Sequence, residues 1–374
     1  MLPVFFLVLV VASLVYCVLT VIAALRYRSV LPMPLRMAPP VSVLKPLAGM
    51  DDGLEDNLRT FFEQRYERFE LLFAVRTPQD PAVPVVERLR SAYPAVPSQL
   101  LFTGEPPYPN AKVFSLDRML AAAQYDLIVM ADSDVRVTPD MLTTLAAEFQ
   151  DKRIGLITCP YRAVPGHSVW TTLEAVGINT DFMSGVLVAR LLDGMKFALG
   201  PTIAARRAAL QRIGGFDAVK DFLAEDYVMG KLVAGGGYGV ILSSCVIEHR
   251  IGSQKLAANV KHRLRWNRST RRSRPFGYAG QLFTHPIPLA LLLLAVKPSW
   301  WPLLAVTALF RAAAGWATAG RALRDPLTRR LWWLVPLQDI ASFLVWIGGF
   351  FGNTILWRGR RYYVLPDGRF EPVP

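Results

Sequence analysis

From Leu2 to Leu25 the chain carries no charged side chain. The hydrocarbon core of a bilayer is about 30 Å thick and an α-helix rises ~1.5 Å per residue, so an uncharged run beyond roughly 18 residues is long enough to cross it. That segment restricts the fold to a chain held in a membrane. No positive n-region precedes the run, it exceeds the usual h-region, and no small-x-small site closes it, so a cleaved signal peptide fits poorly. Arg26 and Arg28 follow directly. The positive-inside rule then puts the N-terminus outside and the next domain in the cytoplasm. Residues 1–30 read as a transmembrane signal anchor.

Apolar runs return after Phe283. Phe283–Val296 and Ser299–Phe310 are separated by Lys297-Pro298, and the second extends through Ala319. Arg321 to Arg330 is basic, and Leu331–Trp357 holds one charge, Asp339, before the tail Arg358-Gly-Arg-Arg361. Three further spans are the simplest count for the C-terminal region, residues 281–374. Three crossings from a cytoplasmic domain would put the Arg-rich tail outside, against the positive-inside rule. A re-entrant or interfacial segment at Leu331–Pro336, with its paired Trp residues, would remove the conflict.

The middle reads differently. At roughly 150 residues per domain, 374 residues suit two or three units, and 52% apolar with 19% charged side chains excludes a disordered chain. Short apolar runs alternate with amphipathic stretches from Pro40 to about Leu242. Strands are expected at Val41–Leu44, Leu71–Val75, Gln99–Phe102, Leu127–Ala131, Gly155–Cys159 and Gly239–Leu242. Helical patterns lie at Leu54–Gln64, Val83–Ala92, Val113–Ala123 and Met141–Phe149. This alternation predicts an α/β domain over residues 38–280 with a mainly parallel sheet, whose ligand sits beyond the carboxyl ends of the strands. Cys17, Cys159 and Cys245 suggest neither a disulfide framework nor a zinc site. The net charge of +13 gathers beside the apolar segments. With no RNA- or DNA-binding signature, it points to anionic lipid headgroups and a nucleotide donor rather than nucleic acid.

Three motifs carry chemistry. Strand Leu127–Ala131 runs straight into Asp132-Ser-Asp134. Two carboxylates that close repel unless a cation joins them or burial separates their protonation, and Mg²⁺ or Mn²⁺ is commonly held by such acids plus phosphate. A solvated, Asx-capped turn is the plainer alternative. Glu225-Asp226 opens a helical pattern, Tyr227–Val233, where acids serve as dipole-favoured caps or where one becomes a general base. His262-Arg-Leu-Arg265-Trp266 opens an interfacial basic segment, residues 261–275. Its arginines suit a phosphate clamp or attraction to anionic lipid, and Trp266 a stacking platform or an interfacial anchor. Two weaker positions follow strands: Asp80, also placed to cap a helix, and His249, by itself more often structural than a ligand.

Taken in this order, these residues resemble the ceramide glucosyltransferase family of inverting, GT-A-fold enzymes. Asp80 matches the family's early Asp, Asp132 the D-x-D-like site, Asp226 the E-D pair, and Arg265-Trp266 the (Q/R)-x-x-R-W motif. Val41-Ser-Val-Leu-Lys-Pro-Leu47, Asn110 with Lys112, Gly214-Gly-Phe216 and the tail Trp357-Arg-Gly-Arg-Arg361 look similar as well. His262 stands where the family has Gln or Arg. The stretch His262–Tyr278 is most similar to the hopanoid biosynthesis-associated glycosyltransferases, bacterial relatives that add N-acetylglucosamine to a polyhydroxylated hopanoid.

The resemblance implies a GT-A catalytic domain between transmembrane helices, facing the cytoplasm of a bacterial inner membrane. The donor would be a UDP-sugar, the acceptor a lipid hydroxyl and the cofactor Mg²⁺ or Mn²⁺. Asp80 would read uracil or ribose, with Lys45 and Lys112 as phosphate or uridine contacts and His262 beside the donor. Asp132 and Asp134 would hold ribose and metal, with His249 completing the metal shell. Asp226 would be the base, oriented by Glu225, while Arg265 and Trp266 would meet the departing UDP and the sugar. Within transferases the rivals are a polysaccharide synthase and a polyprenyl-phosphate sugar transferase. Outside them stands a non-catalytic receptor for nucleotides or lipids.

Overall fold

The alternation from residue 40 onward builds a seven-stranded sheet in a computed structural model that describes residues 1–28, 34–357 and 360–373. The last residues of the expected anchor, 29 and 30, and Arg358-Gly359 of the tail lie outside the described residues. The strands are β1 Val41–Pro46, β2 Phe69–Val75, β3 Ser98–Phe102, β4 Leu127–Ala131, β5 Val135–Arg136, β6 Ile154–Thr158, β7 Tyr161–Val164, β8 Thr202–Arg206, β9 Gly239–Leu242 and β10 Ile247–Arg250. In space the order is β3-β2-β1-β4-β8-β6-β9. β1 pairs parallel with β2 and β4, β2 with β3, and β6 with β9. Only β8 runs antiparallel, between β4 and β6.

All six expected strands are present; β8 was not expected. Its Thr-Ile-Ala-Ala-Arg run is rich in Ala, a residue depleted in strands, and it is held by neighbours on both sides rather than by propensity. A second sheet, β5-β10-β7, sits against the end of β4. It pairs His249 with Val135 and lets the Arg250 amide donate to the Asp134 carbonyl at 2.7 Å.

The helices are α1 Leu2–Arg28, α2 Leu54–Phe62, α3 Ala82–Ala92, α4 Ala111–Ala122, α5 Met141–Glu148, α6 Val169–Gly177, α7 Met183–Asp193, α8 Arg207–Arg212 and α9 Glu225–Gly235. They continue as α10 Leu256–Ser273, α11 Pro275–Gly280, α12 Pro286–Val296, α13 Trp301–Gly315, α14 Pro326–Arg330 and α15 Val335–Gly349. At ~1.5 Å per residue α1 is about 40 Å long. Its buried stripe (Val10, Ser13, Cys17, Thr20, Ala24, Tyr27) recurs every three or four residues, and its exposed surface up to Leu25 is apolar, with Arg26 and Arg28 in the last turn. Val169–Asp193 and Pro298–Ala322 are also long and apolar enough to cross a membrane, and Pro275–Thr284 with Pro286–Val296 forms a pair bent by 66°. These helices make the chain a membrane protein. The first of the two is 61% buried inside the protein, where the sequence suggested no apolar helix.

Leu331–Trp357 is not one long span. Its helix, α15, is only about 22 Å long by the same rise and gives way to a strand. The lone Asp339 is buried against Arg311, whose Nε and Nη2 donate to it at 2.8–3.0 Å. An intramembrane acid is costly unless paired, and this pair meets that need. The chain then forms an antiparallel meander of β11 Thr354–Trp357, β12 Arg360–Val364 and β13 Phe370–Pro372. Backbone bonds tie that meander to the segment before α9, with Phe370 N donating to the Asp221 carbonyl at 3.0 Å.

The tail therefore lies on the same side as the α/β domain, and the chain between α9 and β11 crosses any bilayer an even number of times. That removes the conflict over the Arg-rich tail without a third crossing. The natural cysteines are all buried. Single cysteines at exposed Asp126 and Asp367 should thus label from the same side of sealed vesicles with an impermeant maleimide; labelling from opposite sides would refute this topology.

Candidate active site

β4 is built of five fully buried apolar residues, so the chain emerges at the sheet edge as soon as the polar Asp132-Ser-Asp134 begins. α4 starts opposite it. The Asn110 side chain accepts from the Val113 amide at 3.2 Å and donates to the Phe222 carbonyl at 2.9 Å, which caps α4 and ties its first turn to the segment before α9. Lys112 in that turn joins two motifs: its Nζ lies 2.7 Å from Asp132 Oδ1 and 3.1 Å from Glu225 Oε1.

A cavity of about 490 Å³ opens here, and its lining mixes Lys112, Asp132, Asp134 and Arg265 with Phe182, Val186, Phe197, Trp266 and Trp357. That volume falls in the range of small-molecule sites. Asp226 faces it from the first turn of α9. Burial, reinforced by the neighbouring Glu225 and opposed by Lys112, pushes the Asp226 carboxyl up to about 6. Gly200 makes the room, since a Cβ there would sit 3.1 Å from Asp226 Oδ2. Burial also raises the Asp132 carboxyl against the pull of Lys112. Asp134 is the reverse case: burial would raise it, but the adjacent His249 leaves its carboxyl below the usual range.

Not every expected contact reaches the cavity. Lys45 is wholly buried; its Nζ donates to the Asp132 carbonyl and lies 3.9 Å from the Phe61 ring centroid. It supports the acidic turn from beneath, and burial pushes its ammonium down to about 7. Asp80 lines a separate cleft of about 370 Å³ that shares Ala48 with the main one. Both its carboxylate oxygens accept from the Gly49 amide at 3.1 Å, and Oδ1 also accepts from Ala82 N at 2.9 Å. It caps α3 and pins the loop after β1.

Five of the six arginines in the basic segment divide by what they meet. Arg265 and Arg274 line the cavity. Arg263 donates to Ser342 Oγ at 2.8 Å. Arg268 and Arg271 donate to the carbonyls of Phe350, Phe351, Gly352 and Thr354, in the segment that leads from the negative dipole end of α15 into β11. The guanidinium groups of those three hold the protein together.

His262 also lines the cavity, with Nδ1 3.2 Å from buried Glu174 Oε1 and its ring 5.1 Å from Trp266. Glu174, Tyr161 and Phe182 went unsingled in the sequence, and Trp357 was named only as the start of the family-like tail, with no role at the site. Arg274 had a signal in the basic run, and its guanidinium lies 5.4 Å from the Tyr227 ring centroid.

A divalent cation fits part of this set. Among the described residues no three His, Cys, Asp or Glu side chains gather as a metal cage. His249 Nε2 lies 3.1 Å from Asp134 Oδ2, the position expected to complete a metal shell. Yet Asp134 Oδ1 is buried without a hydrogen-bond partner. Mg²⁺ characteristically takes one or two carboxylates and fills its shell with water and substrate phosphate, so the lack of a cage is no obstacle.

The sequence model of the family described as "Glycosyl transferase family 21" matches residues 5–370. The chain belongs to glycosyl transferase family 21. It is 31% identical over 208 residues to ceramide glucosyltransferase 1 of Caenorhabditis elegans, covering 55% of this chain and 44% of that protein. With ceramide glucosyltransferase 3 of the same organism it shares 25% over 345 residues, 89% of this chain and 74% of the relative. The first match thus spans less than half of the relative's length. The mannosyltransferase PcManGT from Pyrobaculum calidifontis, solved with GDP-Man and Mn2+, superposes with a TM-score of 0.59 at 20% identity, covering 93% of this chain and 99% of that one. This family 21 chain accordingly has the GT-A glycosyltransferase fold, with apolar helices at its N-terminus and toward its C-terminus.

Proposed function

We propose that this family 21 enzyme transfers a hexose, N-acetylglucosamine or glucose, from a UDP-sugar to a hydroxyl of a membrane lipid, with inversion. The acceptor is a hopanoid polyol or a ceramide, and the catalytic domain faces the cytoplasm at a bacterial inner membrane. One observation carries the reading: Asp226, a half-buried carboxyl raised to about 6, faces a cavity whose lining holds both cationic groups and apolar side chains. A sugar nucleotide suits the first and a lipid the second. The names of the two nematode relatives agree with a lipid acceptor.

The chemistry follows from the side chains. Asp226 takes the proton from the acceptor hydroxyl as that oxygen bonds to the anomeric carbon. The bond from that carbon to the diphosphate breaks on the opposite face, and the electron pair leaves with UDP. Arg265 and Lys112 face the charge that develops on the leaving group, the kind of electrostatic stabilisation that usually dominates. A divalent cation held by Asp134 and Asp132 would supply Lewis-acid neutralisation of the diphosphate. Asp134 Oδ1 stays oriented because His249 engages the other carboxylate oxygen. Phe182, Val186 and Trp266 give the cavity apolar surface for the lipid.

The test offers the purified protein in detergent a ceramide or a hopanoid polyol with UDP-glucose or UDP-N-acetylglucosamine and Mn²⁺ or Mg²⁺. The expected result is a glycolipid by mass spectrometry with inverted anomeric configuration. Asp134→Ala and EDTA should each cut transfer by at least about 10²-fold, the several kcal/mol a Lewis acid contributes. UDP bound without any glycolipid from any pair would overturn the lipid-hydroxyl acceptor, and full activity of the Ala variant in EDTA would overturn the metal.

A further inference from the structure

The chain's last strands reach the cavity from outside the D-x-D, Glu225-Asp226 and Arg265-Trp266 motifs. Trp357, the final residue of β11, lines the cavity, and its ring lies 5.5 Å from Phe370 and 6.2 Å from Tyr362. The same meander is stitched to the segment leading into Asp226. Phe370 N donates to the Asp221 carbonyl at 3.0 Å, Leu223 N reaches the Gly368 carbonyl at 3.5 Å, and Phe222 bridges Arg369. Leu223 is buried with Ile355, Tyr362, Val364 and Phe370, and it also lines the cavity. On the other flank, Gly368 turns with φ +90° so close to the end of α10 that a Cβ there would sit 2.7 Å from Ser273 Oγ.

We propose that this C-terminal meander is a working wall of the transferase site: Trp357 takes an apolar C–H face of a substrate, and the ladder to Asp221–Leu223 positions Asp226. The proposal rests on the transferase reading above. Trp357 gains its orientation from Tyr362 and Phe370, so the indole is fixed before substrate arrives. An indole face suits C–H surfaces, which two substrates offer, the sugar ring and the lipid skeleton. Leu223 and Gly368 are positioning residues. They touch no reacting atom, but only Ala224 and Glu225 separate Leu223 from Asp226, so a shift of the hairpin reaches the base.

The test uses full-length Trp357→Ala, Trp357→Phe and Gly368→Ala with the substrate pair that the unaltered enzyme uses. Trp357→Ala should raise one KM by about tenfold, the worth of an aromatic contact, while Trp357→Phe restores most of it. A rise in the UDP-sugar KM assigns the sugar, and a rise in the lipid KM assigns the acceptor. Gly368→Ala, strained at positive φ and against Ser273, should lower kcat with both KM values unchanged. UDP binding and thermal melting report folding in each variant. The inference is overturned if Trp357→Ala keeps both KM values within twofold. It is also overturned if Trp357→Ala loses UDP binding and melting temperature along with activity and the Phe variant does not recover them. The unaltered enzyme is the control that separates the two readings. If it yields no glycolipid, the transferase reading is what fails, and UDP release from UDP-sugar without lipid still reads the donor arm.

Discussion

Asp226→Asn should abolish sugar transfer and leave UDP binding within a fewfold of the unaltered enzyme. The substitution keeps shape and hydrogen-bonding reach but removes the proton acceptor, a role worth ~10² to ~10⁴-fold. Burial also favours it, since Asn carries no charge to desolvate. The variant should therefore fold at least as well as its parent. The pH profile supplies an independent check. A base held at about 6 must be ionised to act, so kcat/KM should fall below that pH and level off above it. Glu225 helps to hold the Asp226 carboxyl up, so Glu225→Gln should move the acid limb to lower pH. Transfer surviving in Asp226→Asn, or an acid limb that ignores Glu225, would assign the base elsewhere.

The acids of this site were legible because their chemistry demands them where apolar pattern ends. A buried strand that stops in Asp132-Ser-Asp134 announces a sheet-edge site in the sequence itself, and Glu225-Asp226 announces a helix start. The partners were less legible. Lys112 lies on one helix and bridges two motifs that are 93 residues apart, which no local pattern encodes. Lys45 was expected among the ligand contacts, but a lysine at the end of a strand reads the same whether its amine points into a cavity or under a turn. The arginine run shows the same limit. Charge and spacing identify a cationic helix, and only the position of α15 decides that Arg268 and Arg271 face carbonyls rather than lipid.

The meander was hidden for a different reason. Leu331–Trp357 is uniformly apolar but for Asp339, and hydropathy alone cannot see that its helix stops at Gly349. A signal did exist further on: Pro366-Asp367-Gly368 between Tyr362-Tyr363-Val364 and Phe370 is a turn sequence flanked by strand formers. That turn could be read locally; its docking beside Leu223 could not, since nothing in either segment names the other.

Replacing Lys112 by Met should be the most disruptive single change after Asp226. The Met side chain fills similar space but leaves Asp132 and Glu225 without their shared cation, with Asp226 close by. Breaking a fully buried pair costs about 3–5 kcal/mol; Asp132 keeps 30% of its side chain exposed, so about 2–3 kcal/mol of stability is the expected loss. Activity should fall further than stability. Lys112 holds the Asp226 carboxyl down, so its removal should move the acid limb of the pH profile upward, opposite in sign to Glu225→Gln. UDP affinity should also weaken, because Lys112 is one of the cationic groups facing the cavity. Lys112→Arg keeps the charge and should return much of the stability and the normal limb, though its planar fork does not reproduce the two contacts of one ammonium. Because Lys112 and Glu225 act on the same carboxyl in opposite senses, the double variant should restore the acid limb toward that of the parent. If instead Lys112→Met left that limb in place while melting early, Lys112 would be a structural strut, and the electrostatic link between the D-x-D turn and the base would be wrong.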